Sequence, residues 1–175
     1  LVVHGPATDE VPMERTTVVI REVLTTTDFS DASNAGVAAL LPLVRDLSAN
    51  LHIVHVVATP GAVIDVATTQ LTLPHTPISA RQAVHIAETR LSVFANELDH
   101  DQVSTQVICA EVAADGIVAA ALLRESDLIA IASHGKGAIA SILLGSTSRR
   151  VLTLSPIPVL VMQRDSISGA AWGLP

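Results

Sequence analysis

Five short runs rich in β-branched and aliphatic residues, each separated from the next by a polar or helix-patterned stretch, constrain this chain more than any other feature. They fall at residues 18–26, 51–58, 103–109, 127–132 and 157–163. The runs are too short for helices and almost wholly apolar, which is how strands buried on both faces of a sheet read.

The segments between them carry helical spacing. Val37, Leu40, Val44 and Leu47 repeat at that spacing behind Ser30, a candidate N-cap, and Pro42 is expected to kink or divide their helix. Ser79 and Gln82 have capping-box spacing, and Val84, Ala87, Leu91, Phe94 and Leu98 follow on one face. A third helix over 114–125 would turn Ile117, Ala121 and Leu122 to the sheet, and a fourth would run from near Ser146 to Leu154, with Pro156 and Pro158 stopping it.

Strands alternating with helices imply right-handed crossovers and a parallel sheet covered on both faces, a doubly wound α/β sandwich of Rossmann-like type. Residues 59–79 hold Pro60, Gly61, Pro74 and Pro77 without a sustained period and read as a long loop. One domain is expected over 16–164, with tails at 1–15 and 165–175. Leu1-Val2-Val3 before His4-Gly5-Pro6 reads as the end of a preceding domain, so a tandem parent protein stays open.

Composition narrows the function. Seventeen acidic residues against ten basic ones give a net charge of −7, opposite in sign to a nucleic-acid-binding surface, and aromatics are only 2%. No apolar run approaches the roughly 18 residues of a membrane span. No secretory signal pattern is visible at 1–15, which favours a cytoplasmic protein. Cys109 stands alone, so neither an internal disulfide nor a cysteine zinc cluster is available.

In doubly wound folds ligands bind beyond the carboxyl ends of the strands. After the first strand comes Thr25-Thr26-Thr27-Asp28-Phe29-Ser30, which sets a carboxylate at the turn. After the fourth comes Ser133-His134-Gly135-Lys136-Gly137, and further on Gly145-Ser146-Thr147-Ser148 opens a helix. Glycine, hydroxyls and a helix start suit a phosphate. The spacing matches neither a Walker loop nor a dinucleotide fingerprint. His134 reads as a turn residue, His52 and His55 as structural residues on opposite faces of one strand, and Ser30 and Ser146 as helix caps. Lys136, Arg149 and Arg150 are candidates to reach a phosphate chain, with Lys136 the best placed.

These residues resemble the nucleotide-binding subclass of the universal stress protein family. The likeness runs in order through Leu24 to Ser30, His55-Val56-Val57, Ser126 to Gly137, Leu143 to Ser148 and Pro158-Val159-Leu160-Val161. The family signature is Gly, two residues, Gly, nine residues, Gly, then Ser or Thr; Gly135, Gly145 and Ser146 supply its later part, and Ala132 replaces the first glycine. The resemblance implies strand order 3-2-1-4-5 and an adenine nucleotide, ATP, with Mg2+ as an optional companion. It places Asp28 and the main chain of Val56 at the base, with Thr26 where many members carry proline. Ala132 and Gly135 fall near the ribose and phosphates, and Gly145, Ser146 and Thr147 around the phosphate chain. It also implies a homodimer joined through strand 157–163, and assigns neither a catalytic residue nor a metal-ligand set. A methyl at Ala132 is either accommodated by a slight shift of the ligand or clashes with it, and Ala132→Gly is expected to tighten binding. Rival readings are a nucleotide-free interaction module and a slow ATPase or related hydrolase.

Overall fold

The computed structural model describes residues 19–60, 63–65, 70–72, 78–133 and 145–163. Along the chain these form β1 (Glu22–Thr26), α1 (Asp31–Leu47), β2 (Asn50–Ala58), β3 (Val63–Asp65), β4 (Gln70–Thr72), α2 (Ile78–Asn96), β5 (Val103–Ala110), α3 (Ala113–Leu123), β6 (Leu128–Ser133), α4 (Ser146–Leu154) and β7 (Val159–Gln163). The expected tails lie outside the described residues.

Five strands pair in the order β5-β2-β1-β6-β7, all parallel, which is the expected 3-2-1-4-5 once the small β3–β4 hairpin is set aside. That hairpin is a correction: Val63–Asp65 pairs antiparallel with Gln70–Thr72 inside the stretch read as loop. Three-residue strands are too short to show a period.

The sheet separates two cores. Leu128 and Ala130 of β6 pack with Val37, Leu40 and Val44 of α1 and Leu91 of α2. Ile129 and Ile131 of the same strand pack on the other face with Ile117, Val118 and Ala121 of α3 and Val151 of α4. Strand alternation produces this division, and each fully buried aliphatic side chain contributes about 1.5–3 kcal/mol.

Ser30 caps α1 as expected, its hydroxyl accepting from the Ser33 N–H at 3.2 Å. Pro42 lies inside α1 and does not divide it. Both Pro42 and Ala38, whose carbonyl loses its helical donor, face solvent, while Val37, Leu40, Leu41 and Val44 hold both halves of the helix on the sheet. α2 begins at Ile78, so Ser79 stands within the helix rather than at its cap. On α3 Ile117 and Ala121 are buried, but Leu122 is 37% exposed. It sits five residues from Ile117, about 140° around the helix, and so turns away from the sheet. The first strand starts at Glu22 rather than 18, and the last at Val159 rather than 157. Ahead of β7, the Ser155 hydroxyl accepts from the Ile157 N–H and donates to the Ile157 carbonyl, closing a turn where the strand was expected.

Candidate functional site

β1 is the switch point of the sheet, since α1 and α2 cover one face and α3 and α4 the other. Its pairing with β6 ends at Thr25 and Ala130, where the Thr25 hydroxyl donates to the Ala130 carbonyl at 2.9 Å. Beyond that point β6 continues with β7 alone, pairing Ala132 with Met162. On the other side the Thr27 N–H donates to the Val54 carbonyl at 3.1 Å, after which the chain turns into α1. Val56 addresses its main chain to the same side as Val54 and lies past that bond. The strands therefore part into a crevice above the carboxyl end of β1, bordered by Thr26, Asp28, Val56 and Ala132.

The corner from β1 to α1 is held by its own side chains. The Thr27 hydroxyl donates to Asn34 Oδ1 at 2.7 Å and accepts from the Phe29 N–H at 2.9 Å. Asp28 Oδ1 accepts from the Ser30 N–H at 2.9 Å and from the Ser33 hydroxyl at 2.6 Å. Thr27 and Ser33 are buried, while Asp28 is exposed at the strand end. Thr27, Ser33 and the Asp28 carboxylate thus fix the backbone between them, with Asp28 exposed at the strand end.

Phe29 takes a left-handed φ of 62°, which costs an L-residue roughly 1–2 kcal/mol. Its ring lies 4.3 Å from that of His55, tilted by 33°, and the Arg90 guanidinium carbon sits 4.3 Å from its centroid. Ring and cation contacts of this kind are each worth about 0.5–1.5 kcal/mol and offset the strain. The Thr27 carbonyl accepts from His55 Nδ1 at 2.8 Å, which draws β2 into the same corner. His52 faces the other way, its Nε2 at 2.6 Å from Glu22 Oε2 and its Nδ1 beside the Ser104 hydroxyl and the Arg124 guanidinium of the α3 side. Both histidines are engaged structurally, on opposite faces.

Ala132 directs its methyl toward α1. It has the strand parity of Ala130, and a Cβ built on Gly36 would stand 2.4 Å from the Ala132 Cβ. The methyl of this half-buried residue therefore lies on the α1 face of the sheet.

The opposite wall is α4. Gly145, with φ −57° and ψ 158°, is its N-cap, so Ser146 is the first helical residue and not the cap. The first bond within the helix is Arg149 N–H to the Gly145 carbonyl at 3.0 Å. Geometry then leaves the N–H groups of Ser146, Thr147 and Ser148 without helical acceptors, at the positive end of the helix dipole. No described residue lies within 4 Å of the place a Gly145 Cβ would occupy. Arg150 forks onto Asp115 of α3 at 2.7 and 3.0 Å, which ties the two helices together. That hydrogen bond holds the Asp115 carboxyl below its ordinary range and raises the guanidinium. Ser146, Arg149, Arg150, Thr153 and Leu154 line a hollow of about 510 Å³ along this helix.

Of the residues expected from sequence, Thr26, Asp28, Val56 and Ala132 gather at the strand ends, and Gly145, Ser146 and Thr147 form the start of α4. Gly135 and Lys136 lie outside the described residues. Sequence reading missed Thr27, Ser33, Asn34, Phe29 and Arg90. Only the clustering of hydroxyls from Thr25 to Ser33 hinted at a self-bonded corner. Among the described residues no group of three or more His, Cys, Asp and Glu is placed to hold a metal ion, and no helix is long and apolar enough to cross a membrane.

Known proteins of the same shape are numerous. The hypothetical protein MJ0577 aligns with TM-score 0.59 and 23% identity over 84% of this chain and 98% of its own. UspA from Lactobacillus plantarum aligns with TM-score 0.57 and 21% identity over 83% of this chain and 99% of its own. A universal stress protein in complex with cAMP gives 0.53 and 21%, over 83% and 98%. These likenesses show a shared fold. A Thermus aquaticus universal stress protein is 40% identical over 50 residues, which span 29% of this chain and only 36% of that protein. The model of the universal stress protein family matches residues 20–163, the whole of the sheet and its helices. The chain belongs to the universal stress protein family.

Proposed function

We propose that this protein binds an adenine nucleotide, ATP, across the crevice between the β1–α1 corner and the start of α4, and acts as a stress-response or signalling component rather than a rapid catalyst. The observation that carries the reading is the end of β1–β6 pairing at Thr25 and Ala130, with the exposed Asp28 at the β1–α1 corner and first-turn N–H groups at the start of α4. Thr26, Asp28 and the main chain of Val56 would hold the base, Asp28 accepting from its amine. Ala132 and Gly135 would lie along the ribose and phosphates. Lys136, Gly145, Ser146 and Thr147 would surround the phosphate chain, whose charge suits a helix N-terminus. Mg2+, when present, would ride on the phosphate oxygens. Family membership and the cAMP bound by one relative of the same fold support the ligand class.

The nucleotide-free alternative rests on a pocket closed by Ala132 and the side chains around it, and the direction of that methyl toward α1 favours the nucleotide reading over it. Dimerisation fits β7, which pairs only with β6 among the described strands and so presents its other edge. Light scattering that returns a monomer would exclude it. A cytoplasmic site of action completes the reading.

Calorimetric titration with ATP is the test, together with mass spectrometry of nucleotide released on denaturation. Asp28→Ala is expected to lose about 1–3 kcal/mol of binding, a weakening of roughly 5- to 150-fold. Its melting temperature should fall as well, because Ser30 and Ser33 lose their shared acceptor. Failure of the parent protein to take up ATP would refute the proposal, and unchanged affinity in the variant would remove Asp28 from the site.

A further inference from the structure

We infer that Gly36 is a positioning residue of this crevice, paired with Ala132 so that one methyl, and only one, separates α1 from the end of β6. The binding arm of this inference rests on the nucleotide reading above; its packing arm does not.

A glycine inside a helix is disfavoured against alanine, and Gly36 is buried in the interior of α1. The contact explains it. A Cβ at Gly36 would meet the Ala132 Cβ at 2.4 Å, where ordinary carbon contacts lie at about 3.5–4.0 Å. The obstructing atom is a methyl fixed to a strand, with no rotamer that moves it aside. Its own Cα is the next atom, at 3.6 Å. A second methyl must therefore push α1 and β6 apart by about an ångström.

That displacement would not stay in the core. Gly36 lies one turn beyond Ser33, whose hydroxyl bonds Asp28 at 2.6 Å, and Ser30 at the head of the same helix bonds the same oxygen through its N–H. α1 and Asp28 move together, so the gap at Gly36 sets how far the carboxylate stands from the end of β6. The Ala132 methyl fills that gap on the α1 face, in line with Ala130 and Leu128. Within the family pattern this alanine stands where the first signature glycine is expected, and Gly36 is what accommodates it.

Four proteins test the pairing: the parent, Gly36→Ala, Ala132→Gly, and the double variant, which returns one methyl from the helix side. Each is melted without ligand and titrated with ATP at a temperature where it is folded. Gly36→Ala should melt roughly 3–10 °C lower and bind ATP about tenfold more weakly. The double variant should recover both properties, affinity to within about twofold of the parent. Recovery of ATP affinity is the decisive reading, since loss of stability alone would follow from any crowded helix. Ala132→Gly, which leaves no methyl in the gap, should fold whatever becomes of Gly36→Ala and completes the cycle against which the double variant is read.

Parent-like affinity in Gly36→Ala overturns the inference, as does a double variant no better than Gly36→Ala. Marked tightening by Ala132→Gly overturns it too, because the methyl would then face the ligand. A parent that binds no ATP refutes the nucleotide reading and the positioning role with it. The melts of the same four proteins still report whether the two residues are coupled.

Discussion

The two walls of the crevice each carry a glycine, and the glycines answer to different demands. On the α1 wall, Gly36 is required by the protein itself, because Ala132 occupies the space a side chain would need. The polar groups of the adjoining corner, Thr27, Asp28, Ser33, Asn34 and the main chain of Phe29 and Ser30, bond one another. On the α4 wall, no described residue comes near a Cβ at Gly145, and its φ of −57° suits any residue. The first-turn N–H groups there have no helical acceptors. One wall is shaped by contacts within the protein; at the other no described residue comes close.

The largest effect should come from breaking the preset wall. Thr27→Val keeps the shape of a buried side chain but strands the Asn34 carbonyl oxygen and the Phe29 N–H, and should cost about 2–3 kcal/mol. A melting temperature roughly 4–10 °C below the parent is the expected reading. A smaller loss would show that water replaces the missing partner.

Gly145→Ala sharpens the comparison from the other side. Its melting temperature should stay within about 2 °C of the parent, because no described residue meets the new methyl. ATP affinity should fall about fivefold or more, since the methyl lies where a phosphate would approach the helix start. Unchanged affinity by calorimetry would mean that the ligand does not use this wall.

The smallest effect concerns the Asp115–Arg150 fork that anchors α4 to α3. Arg150 lowers the Asp115 pKa through their hydrogen bond, so the pair's contribution is present above the unfolded carboxylate value of about 3.9 and disappears as pH falls through the lowered folded value. Both side chains are about half exposed, and solvent and salt screen the pair. Asp115→Asn should therefore melt slightly below the parent near neutral pH, and the difference should vanish in strong acid and at high salt. A difference that persists in acid would mean that packing, not charge, sustains the fork.

Much of the fold is legible in the residues. Apolar runs and helical spacing are local patterns, and burial on both faces of a parallel sheet leaves few ways to satisfy them. Ser30 declares itself as a cap because a hydroxyl before a helix can bond only forward along the chain. Asp28 is singled out because strand ends in such a sheet gather at one place, and Val56 by family resemblance. Elsewhere local signals mislead. The β3–β4 hairpin is too short to show a period. Pro42 breaks nothing because its neighbours hold the helix down and Ala38 meets water. Ser146 looks like a cap until Gly145 takes that position.

What the sequence alone determined is the class of the protein: alternating strands and helices, their order through family resemblance, and the group of residues at the strand ends. Only the tertiary structure decided which way those residues face. Ala132 reads as an obstruction in sequence because nothing local tells on which side of the strand its methyl falls, or that Gly36, nearly a hundred positions earlier, lies against it. Phe29 of the β1–α1 corner, His55 of β2 and Arg90 of α2 meet only when the sheet forms. Side-chain direction in a strand is set by register, and register is settled by packing against neighbours that the local sequence does not name.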